Sequence, residues 1–157
     1  MFDQLLPRRI DNTYHGPKLA LWLFGGVVLV KVGMSVVSIF NGYSTASTAD
    51  AIPLDTFTPA GAQTVVSLFA LLGFAQLVLC LLSILALVRY RAMVPLIFLL
   101  LMLEAMGRRL ILIFLPIVRT GSSRGLIVNL VLLALMLGGL ALSLRNREGA
   151  RAQPRPA

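Results

Sequence analysis

The sequence holds one cysteine, Cys80, and one histidine, His15. A lone thiol makes no intramolecular disulfide, no thiolate metal cage and no Cys-x-x-Cys redox pair. Cys80 stands inside an apolar block and reads as a small packing side chain. His15 precedes a Gly-Pro turn with no partner in view and reads as a surface residue. Ser35, Ser67 and Ser83 therefore lack a histidine at their depth to activate them, so serine catalysis is not expected. Nor is there a His-x-Glu pair, a P-loop or a metal-ligand spacing. The sequence predicts no catalytic residue, no metal site and no resident cofactor.

Charge is also scarce. Charged residues make up 13% of the 157 residues and hydrophobic ones 58%. A soluble domain carries about 25% charged and about 45–50% apolar residues. So little charge does not cover a water-soluble globule, and the apolar residues fall into four long blocks. Those blocks predict membrane spans rather than a large soluble core. The net charge is +8, but the basic residues stand at the ends of the apolar blocks. Topology signals and anionic lipid headgroups account for them there, so the expected partner is a bilayer and not nucleic acid.

In chain order, residues 1–18 form a basic cytoplasmic lead-in with Arg8, Arg9 and Lys18. Span one is expected at about 19–40, long enough at 1.5 Å per residue to cross a core about 30 Å thick. Trp22 suits an interfacial anchor and Asn41-Gly42 a helix stop. Residues 41–60 are the one long loop, with Asp50 and Asp55. Its Ile52, Leu54 and Phe57 give it some apolar grip, so two readings are equally cheap: it folds back over the mouth of the spans, or it stays solvated. Thr58-Pro59 reads as an N-cap followed by proline in the first turn. Spans two, three and four are expected at about 63–88, 93–118 and 126–144. The tail 145–157 is basic, rich in Pro, Ala and Arg, and expected to be disordered.

Orientation follows from the cations. One side of the predicted spans carries Arg8, Arg9, Lys18, Arg89, Arg91, Arg145, Arg147, Arg151 and Arg155, and the other only Arg119 and Arg124. The positive-inside rule then puts both termini in the cytoplasm and the 41–60 loop outside. The expected fold is all-α: a polytopic membrane protein, four transmembrane helices in an antiparallel bundle, N-in and C-in.

Within this apolar chain, Glu104, Arg108 and Arg109 interrupt span three and Lys31 interrupts span one. An ionisable group at the centre of a membrane helix costs about 2.5–3.5 kcal/mol on the insertion scale, so it needs partners or water. By helical rise, Lys31, Gln76, Glu104 and Arg108 lie at nearly one depth on three spans. Glu104 and Arg108 are four residues apart on one face and can pair. Arg109 points about 100° away, and either snorkels outward or reaches Asn129 in span four. Three cations against one carboxylate leave an excess of +2, to be met by water, Asp50 or Asp55, a neutral Lys31, or a bound anion. Two readings stand side by side. The cluster either fixes helix register, or it binds an anion or polar headgroup or relays protons. Small residues at four-residue spacing (Ala134 and Gly138, Gly139 and Ser143), with Gly26 and Gly33, allow close helix approach.

The layout resembles small four-helix bacterial inner-membrane proteins. Lys31 in the first span, Gly73-Phe-Ala-Gln76 in the second and the basic turn Arg89-Tyr-Arg91 also resemble the DoxX-like superfamily, in which Gly-x-x-Glu is common where Gln76 stands here. That resemblance covers roughly spans one to three and implies a membrane subunit in quinone-linked redox chemistry. The leading expectation is instead non-enzymatic: a small inner-membrane protein whose polar cluster locks the bundle or holds an anionic or headgroup ligand from the outer face. A third is a small transporter or channel, acting as a homo-oligomer or within a larger membrane complex.

Overall fold

The computed structural model describes residues 12, 14, 16–121 and 124–151, with the backbone alone for 144–151. Arg8, Arg9 and His15 of the lead-in, and residues 152–157 of the tail, lie outside the described residues. Every regular element described is helical. The four long helices are α1 (Lys18–Phe40), α2 (Pro59–Arg89), α3 (Val94–Phe114) and α4 (Arg124–Arg151).

Three stretches are long and apolar enough to cross a membrane: Lys18–Phe40 with 23 residues, Pro59–Arg89 with 31 and Arg124–Ser143 with 20. These mark a membrane protein. The helix α3 is also long, with 21 residues, and differs in carrying Glu104, Arg108 and Arg109. The outward surface is apolar, as a lipid-facing surface must be: Leu29, Leu71, Val88 and Phe114 are exposed, and Trp22 is 80% exposed. Beside its apolar core the interior also holds polar side chains, namely Lys31, Ser35, Gln76, Ser83 and Ser143. Two of the serines are satisfied within their own helix: Ser35 Oγ donates to Lys31 O at 2.8 Å and Ser83 Oγ to Leu79 O at 2.7 Å.

Local chemistry sets the helix ends. Thr58 caps α2, its Oγ1 accepting from Gly61 N at 3.2 Å, with Pro59 in the first turn. The helix therefore starts at Pro59, ahead of the expected span boundary near 63. At the other extreme, α3 stops at Phe114 rather than running to 118. Leu115 precedes Pro116 and takes φ −123° and ψ 75°; the proline ring disfavours helical backbone in the residue before it. Finally, α4 runs to Arg151, into the stretch expected to be disordered. Leu144, Arg145, Arg147, Glu148 and Ala150 are all good helix formers and carry it on.

The main core joins all four helices. Phe24 and Val28 of α1, Cys80 of α2, Phe98 and Leu101 of α3, and Leu132 and Met136 of α4 are buried together. Phe24 and Phe98 meet edge to face, centroids 4.7 Å apart at 66°. α1 packs against α2 and α4, and α3 packs against α4 and more sparingly against α2. Two glycines make the close approaches. A Cβ at Gly73 would sit 2.8 Å from Ser38 Cβ and 3.0 Å from Ser35 O. One at Gly139 would sit 2.6 Å from Phe98 Cζ and 2.8 Å from Leu23 Cδ2. Gly26, Gly33 and Gly138, expected to serve the same end, face open space; spacing alone does not say which way a small residue points.

The 41–58 segment is folded. A helical turn Gly42–Ser44 runs into a π-helical turn Thr45–Ala49, and a 3-10 turn follows at Leu54–Thr56. Ala46, Ile52 and Leu54 are buried against Val65, Val66 and Phe69 of α2. Phe57, expected to join them, is 44% exposed. Ala51 adopts φ 57°, the left-handed region, and its carbonyl accepts from Thr120 N at 3.0 Å and Thr120 Oγ1 at 3.3 Å. Asp50 Oδ1 lies 3.2 Å from where a Cβ on Gly125 would stand. Its carboxylate is thus beside the first turn of α4, where the helix dipole favours an anion. The segment is tied to the α3–α4 connection at Thr120 and to the first turn of α4 at Gly125.

Candidate functional site

Three of the four long helices, α1, α2 and α3, contribute to the polar centre near their middles. Lys31 is about 3 Å past the midpoint of α1, Gln76 about 3 Å past that of α2, and Glu104 at that of α3. Their side chains converge on one carboxylate. Lys31 Nζ donates to Glu104 Oε2 at 3.3 Å and to Gln76 Oε1 at 3.2 Å. Arg108 donates to Glu104 Oε1, and its Nη2 lies 3.2 Å from Gln76 Oε1. Both carboxylate oxygens are thus engaged, and the Gln76 carbonyl bridges the two cations. Gln76 Nε2 in turn faces Cys80 Sγ at 3.8 Å, one helical turn on.

Burial is graded across this network. The side chain of Lys31 is 8% exposed, Glu104 21% and Arg108 47%. An ammonium as buried as Lys31 must be paired to stay charged, and it has two acceptors. Arg108 leaves part of its guanidinium outside the network. Lys31, Arg108 and Glu104 together carry one net positive charge, less than the +2 excess expected when Arg109 is included.

Arg109 and Asn129 stand elsewhere. Asn129 is exposed on α4, and no hydrogen bond joins it to Arg109 among the described residues. Arg109 is half-buried and lines a hollow with Arg119, Pro116 and Leu126. The azimuth of α3 decides this: a residue next to Arg108 is turned by about 100° on the helix, which carries it out of the network. Asp50 and Asp55 do not enter the network either, Asp55 being exposed on its 3-10 turn.

The sequence reading took Cys80 as a packing side chain and Ser35 only as a serine without an activating base; both stand beside the network one turn beyond Gln76 and Lys31, and their i+4 spacing was the available signal. It also treated Arg119 as a turn cation only. The run Gly121-Ser-Ser-Arg-Gly125 has Gly-x-Ser-x-Gly spacing. A nucleophile elbow needs a strand before it and a histidine base; non-helical chain after α3 precedes this run, and Ser122 and Ser123 lie outside the described residues. Among the described residues no group of three or more His, Cys, Asp or Glu side chains is placed to hold a metal ion.

This geometry defines an all-helical membrane protein with an internal ion network. No protein-family model, no curated protein and no solved structure matches the chain. The functional reading therefore rests on the site itself.

Proposed function

We propose that the chain is a small multi-pass protein of the bacterial inner membrane with four spans, both termini in the cytoplasm, and antiparallel neighbours. Its central network acts as a lock that holds α1, α2 and α3 in one register. One observation carries this reading: a single carboxylate, with both oxygens engaged, receives cations from two helices while the amide of a third bridges them. A misregistered helix would strand Lys31 in an apolar interior, at a cost of several kcal/mol. Specifying one arrangement among near-equivalent apolar packings is a role for which buried ion networks are suited. The cation asymmetry supports the orientation, and pairing of Glu104 with Lys31 of α1 and with Arg108 one turn on lowers the cost of carrying α3 across the bilayer.

Two measurements test it. Cysteine accessibility in a Cys80→Ala background should find Thr48→Cys reactive only from outside and a cysteine at residue 157 only from inside. The lock predicts that Glu104→Gln lowers the unfolding midpoint in mild detergent and leaves ion or solute flux of proteoliposomes unchanged. Unaltered stability with altered flux would instead make the network a transport site.

A further inference from the structure

Two cations at the far end of α3 are not used by the network. Arg109 and Arg119 line a hollow of about 230 Å³ whose remaining wall includes Leu112, Pro116, Ile117 and Leu126. Among the described residues neither guanidinium has a carboxylate or hydrogen-bond partner. Arg119 Nε is closed off from solvent and unpartnered. A desolvated donor on a charged group with no acceptor is costly, and such groups are ordinarily satisfied. The nearby carboxylates are otherwise placed: Glu104 is shared by Lys31 and Arg108, and Asp50 lies beside the first turn of α4.

The surroundings specify the missing acceptor. A guanidinium is a planar fork that grips phosphate oxygens in pairs, and two arginines line this one hollow. Their wall is otherwise apolar, which suits an ester-linked hydrocarbon rather than a fully hydrated ion. Arg109 lies five residues before the end of α3, about 8 Å below it, and Arg119 lies beyond that end in the non-helical chain. In a bilayer that α3 crosses, the end of the helix stands at the edge of the hydrocarbon, so Arg109 is rooted below that edge and its long side chain snorkels outward toward the phosphate layer, where Arg119 stands.

We propose that the hollow binds the phosphate of an anionic glycerophospholipid in the leaflet on the 41–58 side. Arg109 and Arg119 hold the phosphate oxygens, and Leu112, Pro116, Ile117 and Leu126 cover the first carbons of an acyl chain. The inference rests on the proposed bilayer placement and is independent of the lock at Lys31 and Glu104.

The test uses the full chain purified in detergent, titrated separately with phosphatidylglycerol, phosphatidylcholine and inorganic phosphate. Binding is read by native mass spectrometry and by the rise in unfolding midpoint. Phosphatidylglycerol should bind at least about tenfold more tightly than phosphatidylcholine. The paired change Arg109→Ala with Arg119→Ala should abolish that preference, and Arg119→Lys, which keeps the charge but not the fork, should retain part of it. Glu104→Gln should leave it intact. Should the paired variant not fold, the single Arg109→Gln and the wild-type lipid preference decide. Equal binding of both lipids, or a preference untouched by the arginine variants, overturns the proposal. Inorganic phosphate binding as tightly as phosphatidylglycerol also overturns it, since the site would then serve a soluble anion. The cysteine accessibility experiment reads bilayer placement separately, so a failed lipid titration with correct topology refutes this site alone.

Discussion

Glu104→Gln should destabilise the protein more than Lys31→Met does, and the two changes together should cost less than their sum. The reasoning begins with who is left unpaired. Glu104 is the carboxylate for two cations, and removing its charge leaves Lys31, with its side chain 8% exposed, holding only neutral oxygens. Breaking a buried pair from one side costs about 3–5 kcal/mol. Gln76 Oε1 remains an acceptor at 3.2 Å from Lys31 Nζ, which places the expected cost near the lower end, about 3 kcal/mol. Lys31→Met is gentler. Glu104 keeps Arg108, methionine fills much of the same volume, and the desolvation cost of the ammonium disappears; about 1 kcal/mol is expected. In the double variant no buried cation is stranded, and replacing a buried pair by uncharged side chains is often close to neutral. The double variant should then cost no more than about 1 kcal/mol, a coupling of about 3 kcal/mol between the two positions. Arg108→Leu should change stability by less than about 1 kcal/mol, because its side chain is 47% exposed and its ion pair is discounted accordingly. The assay is reversible unfolding in mixed micelles titrated with a denaturing detergent, repeated at low salt and about 1 M salt, where an exposed pair is screened and a buried one is not. Additivity within about 0.5 kcal/mol would refute the reasoning, as would a Lys31→Met cost equal to that of Glu104→Gln.

Other outcomes follow from the packing. Gly73→Val forces α1 and α2 apart, because backbone oxygen Ser35 O cannot move as a side chain tip can; a loss of about 1–3 kcal/mol is expected in the same unfolding assay. Phe98→Ala empties the ring site between Phe24 and Gly139. It should cost about 2 kcal/mol, less than the about 3–5 typical in water, since lipid is as apolar as the core and only packing is lost. Ala51→Val places a β-branched residue at φ 57° and should cost about 1–2 kcal/mol. Hydrogen exchange at the Thr120 amide, which donates to Ala51 O, should then accelerate while exchange in the middle of α2 does not.

The elements were legible to different degrees, for identifiable reasons. Thr58 and Pro59 announce the start of α2 because capping is local chemistry. The helix α3 ends before the expected boundary at 118 because Pro116 acts on Leu115 before it. Gly26 and Gly33 were read as contact residues and face open space, while Gly73, quoted only within a motif, makes one of the closest helix contacts. Spacing carries no azimuth, and a lipid-facing helix has no polar face to reveal it.

The sequence by itself determined that this chain is helical and membrane-embedded, and at what height each ion stands. Apolar run length and a rise of 1.5 Å per residue suffice for both. Only the tertiary structure decided which ions share a carboxylate. Neighbours on α3, Arg108 and Arg109, went to different places: one to Glu104 and Gln76, the other to a hollow with Arg119. Height along a helix is additive in residue number, but rotation about its axis is set by which faces pack. In this chain the packing of Phe24, Phe98 and Gly139 makes that choice.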